Sequence, residues 1–257
     1  MREFLAALTF LTVTPLPTKL AEALWSSRVA GRALAWYPFI GLLIGGLLAG
    51  GVWLLGWSGL GTGVQAGLLL LLWVGVTGGL HLDGVIDSCD ALFASVGVAR
   101  RLAILKDVHS GAFGGIGLFF VLGLKWALLA ELLATGAIWP GLLLAPLWGR
   151  WMLVWAAQRF PYARSESSLG ATMTAGLSRR ELGIATLWAG LVQVGLGSWQ
   201  PWLFFVLFAP LTGLLLARWA AGKLGGGLTG DIYGFLCELT EGFGLLCLAF
   251  LGGIDRI

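Results

Sequence analysis

The sequence predicts an all-α protein: a polytopic integral membrane helical bundle of about seven transmembrane helices, with its N-terminus in the cytoplasm. Three observations carry this. Of the 257 residues, 58% are hydrophobic and only 11% are charged, against about 25% charged in a soluble domain. Mean hydropathy is +0.89. Lysine and arginine fall in alternate connections between apolar stretches of spanning length.

Those stretches lie near 34–56, 63–80, 113–134, 139–157, 183–198, 202–219 and 233–252. Each approaches the roughly 20 apolar residues that cross a bilayer. The fifth is short and glycine-rich. The third and fourth are separated only by Thr135–Ile138, which demands a tight hairpin. Upstream, "MREFLAALTFLTVTPLP" reads as a short interfacial or partly inserted helix stopped by Pro15 and Pro17. No internal repeat or separate soluble domain is visible, so residues 1–257 form a single membrane-embedded domain.

Orientation follows from the cations. Arg2, Lys19, Arg28 and Arg32 precede the first stretch. Arg100, Arg101 and Lys106 follow the second, Arg159, Arg164, Arg179 and Arg180 the fourth, and Arg218 and Lys223 the sixth. The loops 57–62, 135–138 and 199–201 contain no Lys or Arg. The long polar connections 81–112, 158–182 and 220–232 therefore share the cytoplasmic side, and chemistry is expected there. A net charge of +3 without dense basic clusters excludes nucleic acid as a partner. The three cysteines form no C-x-x-C pair, which argues against a zinc site or a disulfide framework.

"HLDGVIDSCDALFA", residues 81–94, carries the main functional signal. Asp83, Asp87 and Asp90 are spaced i, i+4, i+7, which places them on one face of a helix. Like charges on one face repel, and no base follows until Arg100. A hard cation resolves the repulsion, so the three aspartates are candidate Mg²⁺ ligands. Metal-dependent phosphoryl or prenyl transfer to or from a diphosphate fits this pattern.

Companion residues extend the candidate site. Arg100, Arg101, Lys106 and Asp107 lie in the next connection, just before Gly111, Gly114 and Gly115, where backbone N–H groups can meet an anion. Lys125 and Arg150 fall inside predicted spans, where charges face a cavity or a partner; Glu131 is one available partner for Lys125. Arg164 occupies a polar cytoplasmic loop. Asp231, Glu238 and Glu241 form a second acidic stripe after the turn Gly225–Gly227. His81 and His109 are isolated, and His81 is read as structural.

These segments, "HLDGVIDSCDALFAS", "LKDVHSGAFGG", Ala163–Arg164 with Leu169–Gly170, "GGGLTGDIYG" and the opening "FLTVTPLP", together resemble the cobalamin synthase (adenosylcobinamide-GDP ribazoletransferase) family over essentially the whole chain. Ala91, Val108–Ser110 and residues 165–168 depart from its pattern. The resemblance implies a Mg²⁺-dependent enzyme of the bacterial or archaeal cytoplasmic membrane that joins adenosylcobinamide-GDP to α-ribazole or its 5′-phosphate and releases GMP. It implies catalytic roles for Asp83, Asp87, Asp90, Lys106 and Asp231. Arg100, Arg101, Asp107, Lys125, Arg150, Arg164, Glu238 and Glu241 are the candidate substrate contacts. The alternatives are another membrane transferase, of the CDP-alcohol phosphotransferase or prenyltransferase type, and a transporter. The first lacks its D-x-x-D-G-x-x-A-R pattern here, and the chain has no asparagine for an N-D-x-x-D motif.

Overall fold

The computed structural model describes residues 1–15, 27–163, 170, 171, 174 and 176–252. Arg164 lies outside the described residues. In chain order the helices are α1 (Arg2–Leu11), α2 (Ser27–Ala33), α3 (Tyr37–Leu55), α4 (Thr62–Thr77), α5 (Leu80–Phe93), α6 (Val98–Ile104), α7 (Ala112–Thr135), α8 (Ile138–Arg159), α9 (Arg179–Trp199), α10 (Phe208–Lys223) and α11 (Gly230–Gly252). Short 3₁₀ turns, Leu34–Trp36 and Pro201–Leu207, lead into α3 and α10. Among the described residues the only β feature is an isolated bridge between Tyr162 and Leu228.

The helix ends follow local chemistry. α1 stops where Thr12 turns extended and its hydroxyl donates back to the Leu8 carbonyl at 2.6 Å. α9 opens on a capping box: the Ser178 hydroxyl accepts from the Arg180 N–H, and the Glu181 carboxylate accepts from the Ser178 N–H at 3.0 Å. This makes the short predicted fifth stretch a full helix of 21 residues. Gly136, at φ +76°, closes the tight hairpin between α7 and α8.

Among the described residues, five segments are long and apolar enough to cross a membrane: Arg28–Leu55, Ala112–Thr135, Arg179–Trp199, Pro201–Lys223 and Gly230–Leu251. The protein is an integral membrane helical bundle. Two details differ from the sequence expectation of about seven spans. The stretch 63–80 ends at Thr77, because Gly78 and Gly79 both take left-handed backbone (φ +63° and +66°) and turn the chain by 93° into α5; only glycine enters that region freely. α4 and α5 therefore form one bent pair, which, counted as one span, makes six among the described residues. α8 has spanning length, but its tryptophans and Arg150 keep it outside the most apolar class.

α8 instead serves as the hub. α3 packs directly on it through a G-x-x-x-G pair: a Cβ at Gly41 would lie 2.4 Å from the Pro146 carbonyl oxygen, and one at Gly45 2.2 Å from that of Leu142. Small residues of this kind let helix backbones touch in lipid. α11 lies on another flank of α8, where Gly149 faces Cys237 and Glu241. Outward-facing Phe119, Phe120, Leu187, Leu191 and Phe250 give the bundle its apolar exterior. Exposed Trp57, Trp139 and Trp199 cluster at the helix ends next to the loops without Lys or Arg, in keeping with an interfacial aromatic belt.

Candidate active site

α5 and α11 cross where both are small. A Cβ on Gly84 would sit 2.5 Å from the Asp231 carbonyl oxygen, and one on Gly234 3.1 Å from that of His81. The crossing sets Asp83, one residue before Gly84, beside Asp231 in the first turn of α11. Both line a cavity of about 330 Å³. Thr229 donates its hydroxyl to the Asp231 carboxylate at 3.2 Å. The cavity lies at the end of the bundle where α8 finishes with Arg159 and α10 with Lys223.

The remaining predicted residues sort into distinct settings. Asp87 lies one turn beyond Asp83 on α5 and is half-buried. Asp90 is buried, and its two carboxylate oxygens accept from the backbone N–H groups of Gly111 at 2.6 Å and Gly114 at 2.8 Å. The anion expected at that glycine-rich helix start is therefore the protein's own side chain, held where the N-terminus of α7 favours negative charge. The three aspartates share a helix but not an environment. Among the described residues, no three His, Cys, Asp or Glu side chains are set around a common point to hold a metal ion.

Arg101 is also committed internally. Its guanidinium donates to the carbonyls of Ala91 at 2.7 Å and Leu92 at 2.9 Å, which satisfies the end of α5 and buries the side chain. At the residue expected to contact substrate, the structure shows a charge that closes a helix C-terminus. Arg100 and Lys106 are exposed on the same connection and do not line the cavity. Asp107 accepts from both the backbone and the ring of His109, at 3.1 and 2.7 Å. The ring hydrogen bond is the main reason that its carboxyl is held below the usual range.

Lys125, Arg150, Glu238 and Glu241 come together in the bundle core, 2%, 0%, 7% and 0% exposed. Lys125 donates to Glu238 at 2.5 Å and also to Glu241, and Arg150 pairs with Glu241. The partner of Lys125 is thus not Glu131, which is exposed. The His81 ring nitrogen Nδ1 stands 4.0 Å from Glu238. The four residues expected as substrate contacts thus sit enclosed together and ion-paired with one another, away from the cavity lining. Buried charges survive only in such arrangements.

Sequence reasoning missed the aromatic wall of the cavity. The chain has only three tyrosines, and all of them, Tyr37, Tyr162 and Tyr233, line it. His81, read as structural, lines it too. The rarity of tyrosine in so oily a chain, and the position of Tyr233 two residues after Asp231, were the available signals.

The cobalamin-5-phosphate synthase family model matches residues 3–249. An adenosylcobinamide-GDP ribazoletransferase of Herpetosiphon aurantiacus is 40% identical over 253 residues, covering 96% of this chain and 95% of the relative. One from Deinococcus radiodurans is 42% identical over 246 residues, covering 96% and 84%. Another from Thermosynechococcus vestitus is 35% identical over 256 residues, covering 98% and 97%. No solved structure matches the chain.

Proposed function

This chain belongs to the cobalamin-5-phosphate synthase family, and from that premise we propose that it joins adenosylcobinamide-GDP to α-ribazole, or to its 5′-phosphate, and releases GMP. The coarse activity, a transferase of cobalamin biosynthesis, follows from the family. The observation that carries the finer reading is the meeting of Asp83 and Asp231 at one cavity on the Lys/Arg-rich end of the bundle. By the positive-inside rule that end faces the cytoplasm of a bacterial or archaeal cell, and the protein sits in the cytoplasmic membrane.

The reaction is an in-line displacement. A ribose hydroxyl of the nucleoside attacks the phosphorus attached to cobinamide. A new P–O bond forms, the P–O bond to the bridging oxygen of the diphosphate breaks, and that oxygen leaves with GMP. The hydroxyl proton needs an acceptor as attack proceeds. Asp231, at the cavity wall, fits that role, since a positioned carboxylate acts as a general base. Arg100 and Lys106 lend positive potential to the same side.

The donor set suits Mg²⁺, which is usually held by one or two carboxylates together with substrate phosphates and water. Asp83 and Asp87, one turn apart, would hold it; Asp90 is the weaker fit, because each of its oxygens already accepts an N–H at the start of α7. When bound, the ion supplies neutralisation of the diphosphate charge. Purified protein in lipid, given both substrates and Mg²⁺, is expected to release GMP. Asp83→Asn is expected to lower that rate at least 100-fold, on the scale of lost polar catalysis. Turnover that persists after divalent cations are chelated would remove the metal from the mechanism.

A further inference from the structure

Behind the carboxylates the cavity changes character. Phe10 of α1 stacks against Tyr37 at the start of α3, with ring centroids 6.1 Å apart and planes 16° apart. Tyr162 and Tyr233 form a second aromatic pair at 6.4 Å. Leu153 of α8 adds aliphatic surface. Two polar atoms in this wall are buried without a hydrogen-bond partner among the described residues: the Tyr233 hydroxyl and Nδ1 of His81, whose side chain is only 5% exposed. A buried hydroxyl without a partner is uncommon in a folded protein and calls for a ligand or water. Neither atom has a role in the mechanism above.

We propose that this cavity holds the aromatic base of the nucleoside acceptor, with Tyr233 as the residue that selects it. The inference rests on the reaction proposed above and adds which substrate the cavity takes and by what contact. Its volume, about 330 Å³, lies at the lower end of small-molecule pockets. That accommodates one bicyclic base with its sugar and is far too small for a corrin macrocycle. The aromatic pairs offer ring faces to a planar base. The Tyr233 hydroxyl donates to the one ring nitrogen that the sugar leaves free, and the ribose then lies toward Asp231. Guanine, the other base in the reaction, fits this wall poorly. Its edge carries several donors and acceptors, and rings with aliphatic side chains would leave most of them unpaired.

Equilibrium dialysis of radiolabelled α-ribazole against the purified protein in lipid, run without the second substrate, tests this directly. Steady-state GMP release complements it. Wild-type protein is expected to bind α-ribazole saturably. Tyr233→Phe is expected to weaken binding about tenfold, the scale of one buried hydrogen bond, and to raise KM for α-ribazole equally. Its kcat and its KM for adenosylcobinamide-GDP should change less than twofold. Ala157→Leu, which narrows the cavity, is expected to weaken α-ribazole binding further. Unchanged α-ribazole binding in both variants overturns the proposal, as does no saturable binding by wild type. A raised KM for adenosylcobinamide-GDP in place of α-ribazole also overturns it and puts guanine in the cavity. Saturable α-ribazole binding that Tyr233→Phe weakens, without GMP release under any metal condition, leaves the pocket standing and removes the proposed reaction.

Discussion

Asp231 stands in the first turn of α11, and Glu238 and Glu241 stand about two and three turns further along the same helix. Glu238 and Glu241 are enclosed and matched by Lys125 and Arg150. Asp231 faces a cavity with Asp83 across the helix crossing. One helix thus carries acids of two kinds, and sequence spacing does not separate them. What separates them is the setting that the fold gives each: an enclosed ion-pair network for Glu238 and Glu241, a cavity wall for Asp231. The enclosed ion pairs hold the packing of the bundle; the carboxylates at a cavity with an aromatic wall are the candidates for chemistry.

The comparison breaks most sharply at Glu241. Glu241→Ala leaves Lys125 and Arg150 buried with a single carboxylate between them, and removing one partner of such a set costs about 3–5 kcal/mol. Thermal unfolding in detergent should show a large loss of stability, and the double change Arg150→Met with Glu241→Leu should recover most of it. A Glu241→Ala protein as stable as wild type would show that the network holds nothing together. Asp231→Asn should behave in the opposite way. Its stability should stay at the wild-type level while kcat falls about 10²–10⁴-fold, the range of general acid–base catalysis.

Asp90 sharpens the same contrast at smaller scale. Asp90→Ala removes the anion at the start of α7 and should cost about 0.5–2 kcal/mol, as for a lost helix cap. Gly114→Ala, whose Cβ would meet the Asp90 carboxylate at 2.5 Å, should cost about 1–3 kcal/mol by overpacking. Both are read by thermal unfolding, with turnover retained by the folded fraction. If Asp90→Ala instead abolished turnover in fully folded protein, Asp90 would rejoin Asp83 and Asp87 as a metal ligand. The smallest effect is expected at Asp107. Its depressed pKa means that its link to His109 is complete above the ordinary Asp value of about 3.9 and is lost only as pH falls through the lowered one. Asp107→Asn should therefore leave the rate within twofold between pH 6 and 8.

Local patterns showed most of the fold. Apolar run length marked the helices, and "TGAI" marked the α7–α8 hairpin. Asp83 and Asp231 were legible as candidate site residues because acids beside an oily span need a reason. The functions of Asp90 and Arg101 were hidden, because a cap supplied from 21 residues upstream and a guanidinium reaching back ten residues are tertiary facts. The partners of Lys125 were hidden for the same reason, since they lie 113 and 116 residues away. The break at Gly78–Gly79 was written in the sequence as a glycine pair but was masked by the hydrophobicity on either side.

That break governs how the acids meet the membrane. Had α5 continued the line of α4, Asp83, Asp87 and Asp90 would have been strung over about 10 Å of depth. Turned by 93°, the helix lies crosswise and keeps Asp83 and Asp87 near a single level. A bulky amphiphilic substrate drifting along the surface of the bilayer would find both at the same height, and would not have to sink into lipid to travel from one to the next.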